Sequence, residues 1–187
     1  MVDEALKSQI VELVYRYSFF KGKVLLTSGK ESDYYIDGKQ VMLRGEGLAA
    51  IARYILDYTR SHYPQVKAVG GMALGAVPLA AAASALSQSV HPFPLDAFFV
   101  RPQAKEHGTR SKVEHPGLPP ATQVLVVEDV ITTGGSCLKA VRAAREEGWH
   151  VAGVLALVDR QEGGRAAIEK EGCSVEAVMT RDDLFAI

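Results

Sequence analysis

Apolar positions recur along the chain in two rhythms. Over residues 4–17, Ile10, Leu13, Val14 and Tyr17 fall on one stripe, which predicts an amphipathic helix. Residues 45–61 repeat the pattern with Leu48, Ile51, Ala52 and Ile55 and predict a second helix. Between them lie short polar and extended pieces: 23–26, a turn at 27–32, and an extended run at 33–37. From residue 66 the rhythm changes. Runs at 66–71, 95–100, 122–128, 151–158 and 174–179 predict strands, and 76–87, 136–147 and 164–171 predict helices, with Gly148 ending the second of these. Strand–helix alternation predicts crossover units, hence an α/β fold with a parallel sheet and helices on both faces. Strand runs without polar alternation suit burial on both sides. Ligands of such sheets bind beyond the carboxyl ends of the strands, which singles out the loops after Val69, Val100 and Val127.

Composition narrows the function classes. The chain has 187 residues, 48% hydrophobic and 23% charged, which suits one folded domain and argues against disorder. Lys plus Arg is 21 and Asp plus Glu is 22, so there is none of the basic excess of a duplex-binding protein, and no nucleic-acid partner is expected. Residues 68–86 carry no charge, but Gly70, Gly71, Gly75 and Pro78 interrupt them. A buried strand followed by a buried helix is the better reading than a membrane span. The N-terminus lacks signal-peptide character, and Cys137 and Cys173, far apart and without a metal-ligand spacing, read as buried thiols of a cytoplasmic protein.

The chemistry concentrates in VLVVEDVITTGGS, residues 124–136. An apolar strand delivers two adjacent carboxylates, Glu128 and Asp129, and then Val130 and Ile131 lead to Thr132, Thr133, Gly134, Gly135 and Ser136 at a helix start. Glycines let backbone amides close on an anion, the helix N-terminus favours negative charge, and the hydroxyls donate to phosphate oxygens. A Walker loop would need Gly-Lys-Ser/Thr, and a dinucleotide loop Gly-x-Gly-x-x-Gly; neither is present. A capped helix start explains the Thr-Gly stretch alone but not two acids on an apolar strand. Carboxylates beside a phosphate cradle suit a sugar phosphate. A second loop, residues 100–112, carries Arg101, Lys105, Arg110 and Lys112 against Glu106. It reads either as a solvated charged loop or as one that closes over a polyanion.

The 124–136 segment resembles the phosphoribosyl-pyrophosphate (PRPP) signature of type I phosphoribosyltransferases. Three further segments are similar to the orotate phosphoribosyltransferases among them: Arg101, Lys105, His107 and Gly108 as Arg-x-x-x-Lys-x-His-Gly; residues 26–37 as Ser-Gly-x-x-Ser-x-Tyr-Tyr; and Asp159-Arg160 at a strand end. The resemblance covers nearly the whole chain. It implies a central, mostly parallel sheet flanked by helices, a single domain with a small N-terminal hood from residues 1–44 and a PRPP-binding core over 62–180.

The resemblance also implies a pentosyltransferase of pyrimidine biosynthesis, making orotidine 5′-monophosphate and pyrophosphate from orotate and PRPP. Glu128 and Asp129 would hold the ribose hydroxyls, and 132–136 the 5′-phosphate. Arg101, Lys105 and His107, reaching from the neighbouring subunit of a homodimer, would neutralise pyrophosphate; with Asp129 they form the implied catalytic set. Arg160, Tyr34, Tyr35 and Thr132 would contact orotate, although by residue type alone the first three read equally as a surface arginine and two faces of a strand. Mg²⁺ would arrive with PRPP and meet the acids through water, with no metal ligated directly by the protein. Three positions depart from many relatives, which carry lysine, lysine and Tyr-Lys where Pro102, Thr27 and Ala73-Leu74 stand here. A purine-type phosphoribosyltransferase and a non-catalytic PRPP-sensing regulator are the competing functions.

The near-neutral total also hides a segregation. Over residues 101–115, Arg101, Lys105, Arg110 and Lys112 against Glu106 and Glu114 leave two net positive charges, opposed by Glu128 and Asp129.

Overall fold

The structure is a computed structural model and describes residues 3–25, 31–90, 94–103 and 112–187. It opens with helix α1 (Glu4–Ser18), capped by Asp3, whose carboxylate accepts from the Ala5 amide at 2.9 Å. The extended pieces that follow pair with each other. Strands β1 (Phe19–Leu25) and β2 (Glu31–Ile36) form an antiparallel hairpin, and a short helix α2 (Gly38–Met42) follows, capped by Asp37. The sequence reading missed α2 because five residues are too few to show a helical period. The buried Ser18 hydroxyl accepts from the Val41 amide at 3.1 Å and ties α2 back to α1.

Helix α3 (Gly45–His62) leads into β3 (Ala68–Met72), α4 (Ala76–Val90), β4 (Asp96–Val100), the two-residue β5 (Val113–Glu114), β6 (Gln123–Ile131), α5 (Gly135–Glu146), β7 (His150–Asp159), α6 (Gly164–Lys170), β8 (Val175–Thr180) and α7 (Arg181–Phe185). The six-stranded sheet runs β5-β4-β3-β6-β7-β8. All its pairings are parallel except that of β5 on the β4 edge. The expected parallel sheet is therefore present, with one short antiparallel addition. The uncharged stretch 68–86 divides into β3 and part of α4, and among the described residues no helix is long and apolar enough to cross a membrane.

The apolar strands show no alternation in sequence, yet the pleat divides them cleanly. Leu125 and Val127 join a core with α1, α3 and α4, whereas Val124 and Val126 join a second core with α5 and α6. Leu155 and Leu157 face the first, and Val154 and Ala156 the second. Each strand is thus apolar on both faces because each face carries its own helical layer. Cys137 and Cys173 are both buried, free thiols of the second core.

Candidate active site

Strand β6 pairs with β3 only as far as Gly70↔Val126, but with β7 as far as Ile131↔Asp159. Beyond Val126 the ladder between the two strands ends. Strand order reverses between β3 and β6, so this point is the topological switch point where doubly wound sheets bind ligands. The two acids were expected at the end of the strand. They lie inside it, because Val130 and Ile131 continue the ladder onto Val158 and Asp159.

Adjacent strand residues point to opposite faces, and the acids separate accordingly. Glu128, 6% exposed, lies against Cys137 of α5 and lines a cavity of about 230 Å³ with residues 130–137 and Lys139. Burial, and then the charge of Asp129, push its carboxyl up to about 8, while a hydrogen bond with the Cys137 thiol acts the other way. Its Oε2 is buried without a hydrogen-bond partner. Asp129 lies between two glycines. A Cβ on Gly75 would collide with its carboxylate, and a Cβ on Gly38 would sit 3.1 Å from its own Cβ. Burial raises the Asp129 carboxyl, opposed by backbone amides and by Lys39, which is itself paired to Asp37 at 2.6 Å.

The loop closing the cavity is built for backbone. Gly134 takes a left-handed φ of 81° as the cap of α5, and neither it nor Gly135 carries a side chain that would screen the first helical amides. Thr132, Thr133 and Ser136 add hydroxyls around the same volume. This is the expected cradle, with α5 starting at Gly135 rather than Ser136. It is buttressed by the turn after β7: the Arg160 amide donates to the Ile131 carbonyl at 2.9 Å, and Gly164 to Thr132 at 3.0 Å. A Cβ on Gly134 would lie 2.9 Å from the Gly164 carbonyl, and one on Gly164 would strike the Thr132 carbonyl. Gly164 escaped the sequence reading, since only the fold brings these glycines together.

The same turn presents Arg160. Asp159 is buried; one carboxylate oxygen accepts from the Gln161 amide at 2.8 Å and the other from Arg165 Nε at 3.1 Å. Gln161 adopts a positive φ of 58° under that bond. Arg160 is consequently turned inward, only 6% exposed, with its guanidinium 5.0 Å from the centre of the Tyr34 ring. It pairs with Glu162 at 2.8 Å. Of the two tyrosines, the structure brings Tyr34 to Arg160. Tyr35 is 38% exposed, and its influence falls on Lys39. Tyr34 packs edge-on to Phe185 of α7, so the hairpin and the C-terminal helix meet over the site.

The cationic loop enters only through its ends. Arg101 pairs with Glu114 at 2.9 Å, and its amide donates to the Lys112 carbonyl at 2.8 Å. Arg101 lines a neighbouring cavity of about 240 Å³ with Lys112, Lys139 and Arg142, and Lys139 borders both cavities. Lys105 and His107 lie outside the described residues, as do Gly108, Arg110 and Thr27. Among the described residues no cluster of three His, Cys, Asp or Glu side chains could hold a metal ion. The donors at the switch point are carboxylate oxygens, which fit a hard divalent cation ligated chiefly by phosphates and water.

Comparison with known proteins agrees with this geometry. Residues 40–177 match the phosphoribosyl transferase domain family. The chain is 45% identical over 180 residues to the orotate phosphoribosyltransferase of Sorangium cellulosum, covering 96% of this chain and 93% of that one. The crystal structure of the Mycobacterium tuberculosis orotate phosphoribosyltransferase with Fe(III) dicitrate superposes with a TM-score of 0.82 at 39% identity, over 96% of this chain and 98% of that one. The same enzyme in complex with PRPP superposes with a TM-score of 0.78 at 36% identity, over 96% and 99%. With identities of this size over nearly the full length of both chains, the chain belongs to the orotate phosphoribosyltransferases, of the phosphoribosyl transferase domain family.

Proposed function

We propose that the chain transfers ribose 5-phosphate from PRPP to orotate, releasing pyrophosphate, with the cradle and the β7 turn dividing the two substrates between them. The observation that carries this reading is the junction of the 132–136 cradle with Glu128, a buried acid that lines the same cavity and has one oxygen without a hydrogen-bond partner. The 5′-phosphate takes the amides and hydroxyls of 132–136. The ribose hydroxyls lie across the strand between Glu128 and Asp129. Burial keeps a proton on Glu128 near neutral pH, so it can both donate to and accept from a hydroxyl.

Orotate is a planar anion, and Arg160 offers its carboxylate a rigid fork with the Tyr34 ring alongside. Thr132 stands at the border of the two substrates. As the C1′–oxygen bond breaks, positive charge builds on the ribose beside Asp129, and negative charge builds on the departing pyrophosphate. Arg101, Lys105 and His107 neutralise the latter, contributed by the partner subunit of a homodimer. Asp129 and Glu128 would hold, through water, a Mg²⁺ arriving with PRPP, which would supply further charge neutralisation there. The whole chain acts as one cytoplasmic catalytic domain, with residues 1–44 as its hood.

The test is loss of orotate absorbance on adding PRPP and Mg²⁺, with adenine, guanine and xanthine as competitors. Orotate-specific turnover is expected. PRPP binding without orotate consumption would leave only a sensor, and preference for a purine would move the chain to another branch of the family.

A further inference from the structure

The Arg160 guanidinium is only half engaged. Its Nη2 lies 2.8 Å from a Glu162 oxygen, while its Nε is buried without a hydrogen-bond partner. A carboxylate that grips an arginine side-on takes Nε and Nη2 together through two parallel hydrogen bonds. Glu162 therefore occupies one tooth of the fork and leaves the other vacant. Among the described residues it is the sole carboxylate within ion-pair distance of Arg160, because Asp159 is spent on Gln161 and Arg165.

The two partners are unequally placed. The Arg160 side chain is 7% exposed and the Glu162 side chain 37%. The Tyr34 hydroxyl, at 3.4 Å, gives the same Glu162 oxygen a weak second contact. Glu162 is followed by Gly163, with a positive φ of 89° and nothing within 4 Å of where a Cβ would be. The partly exposed Glu162 carboxylate can swing toward water, whereas the Arg160 side chain is held in its buried place.

We propose that Glu162 is a placeholder carboxylate: it neutralises the buried Arg160 in the unliganded site and yields Nη2 to the carboxylate of the incoming pyrimidine. This rests on the reading that Arg160 receives orotate. Glu162 is then a positioning residue acting through Arg160, and it sets a threshold for entry. Only a ligand whose own carboxylate replaces the lost pair displaces it, so a pyrimidine without that carboxylate gains nothing from Arg160.

The test is steady-state kinetics of Glu162→Gln, Glu162→Asp and Arg160→Ala, with uracil as a competitive probe that lacks the carboxylate. A neutral glutamine competes less with orotate, so the orotate KM of Glu162→Gln should fall about threefold, the scale of a partly exposed ion pair. PRPP KM and the inhibition constant of uracil should stay within about twofold, the range of surface substitutions. Glu162→Asp, which keeps the charge, should return the orotate KM toward the wild-type value. An orotate KM that is unchanged or raised in Glu162→Gln, while Arg160→Ala raises it about 100-fold, overturns the placeholder but leaves the orotate site standing. An orotate KM unchanged in Arg160→Ala overturns the orotate reading itself, and the placeholder with it.

Discussion

The two turns at the site, after β6 and after β7, solve opposite problems. The β6 turn is made of backbone: Gly134 in a left-handed conformation, Gly135, and amides free at the start of α5. The β7 turn is made of charged side chains, with Arg160 paired to Glu162 and Arg165 to Asp159. A phosphate is taken up well by many amides and little steric bulk. A flat carboxylate is gripped best by one rigid fork that offers it two parallel charge-assisted hydrogen bonds. The difference teaches where each turn is fragile. The first fails when a methyl group is added, and the second when the charge of Arg160 is removed.

Adding that methyl group is the largest perturbation. Gly134→Ala places a Cβ at a positive φ and 2.9 Å from the Gly164 carbonyl. It should cost about 1–3 kcal/mol of stability and reduce kcat/KM for PRPP by at least about 100-fold. Thermal unfolding and PRPP kinetics read both. Gly163→Ala is the control. It shares the positive φ but meets open space, so it should cost only about 1 kcal/mol and spare PRPP binding. Equal damage from both would mean that the contact between the turns does not matter.

The buried acid between the turns gives a pH signature. An unfolded glutamate titrates near 4.5 and folded Glu128 near 8. Between those values the folded state holds the extra proton. The stability of the unliganded protein should therefore fall as pH rises from about 4.5 to about 8. Glu128→Gln should flatten that part of the profile in a melting series. An unaltered slope would place the titration elsewhere. A smaller effect is expected from Cys137→Ala, which deletes the hydrogen bond that lowers the Glu128 carboxyl. The pH profile of kcat/KM for PRPP should shift upward by less than one unit. A downward shift would show that the thiol opposes ionisation.

The sequence made the β6 turn legible because its requirements are local: a strand, two acids, glycines and hydroxyls in order. It made Arg160 legible only through family resemblance, since its partners come from afar. Tyr34 lies on β2 and Phe185 on α7, and no local pattern joins them to the β7 turn. Gly38 and Gly75 were invisible for the same reason: each is required by Asp129, which only the fold brings near. The divergence of Glu128 and Asp129 was within reach, because strand pleating alone sends neighbours to opposite faces. The end of β6 is not legible in sequence, because pairing with β7, rather than residue type, carries the strand on to Ile131.

The smallest effect lies far from both turns. Arg53 and Asp57 form a surface pair at 2.8 Å along α3. Arg53→Ala should cost about 0.5 kcal/mol or less and leave both substrate KM values unchanged, which fixes the background against which the other variants are read.

The division of labour between the turns is tested most directly by the two substrate KM values of Arg160→Ala, measured in one orotate-absorbance assay. The orotate KM should rise about 100-fold while the PRPP KM stays within about twofold. A parallel rise in both would contradict the account, because it would mean that the β7 turn serves the cradle rather than the pyrimidine.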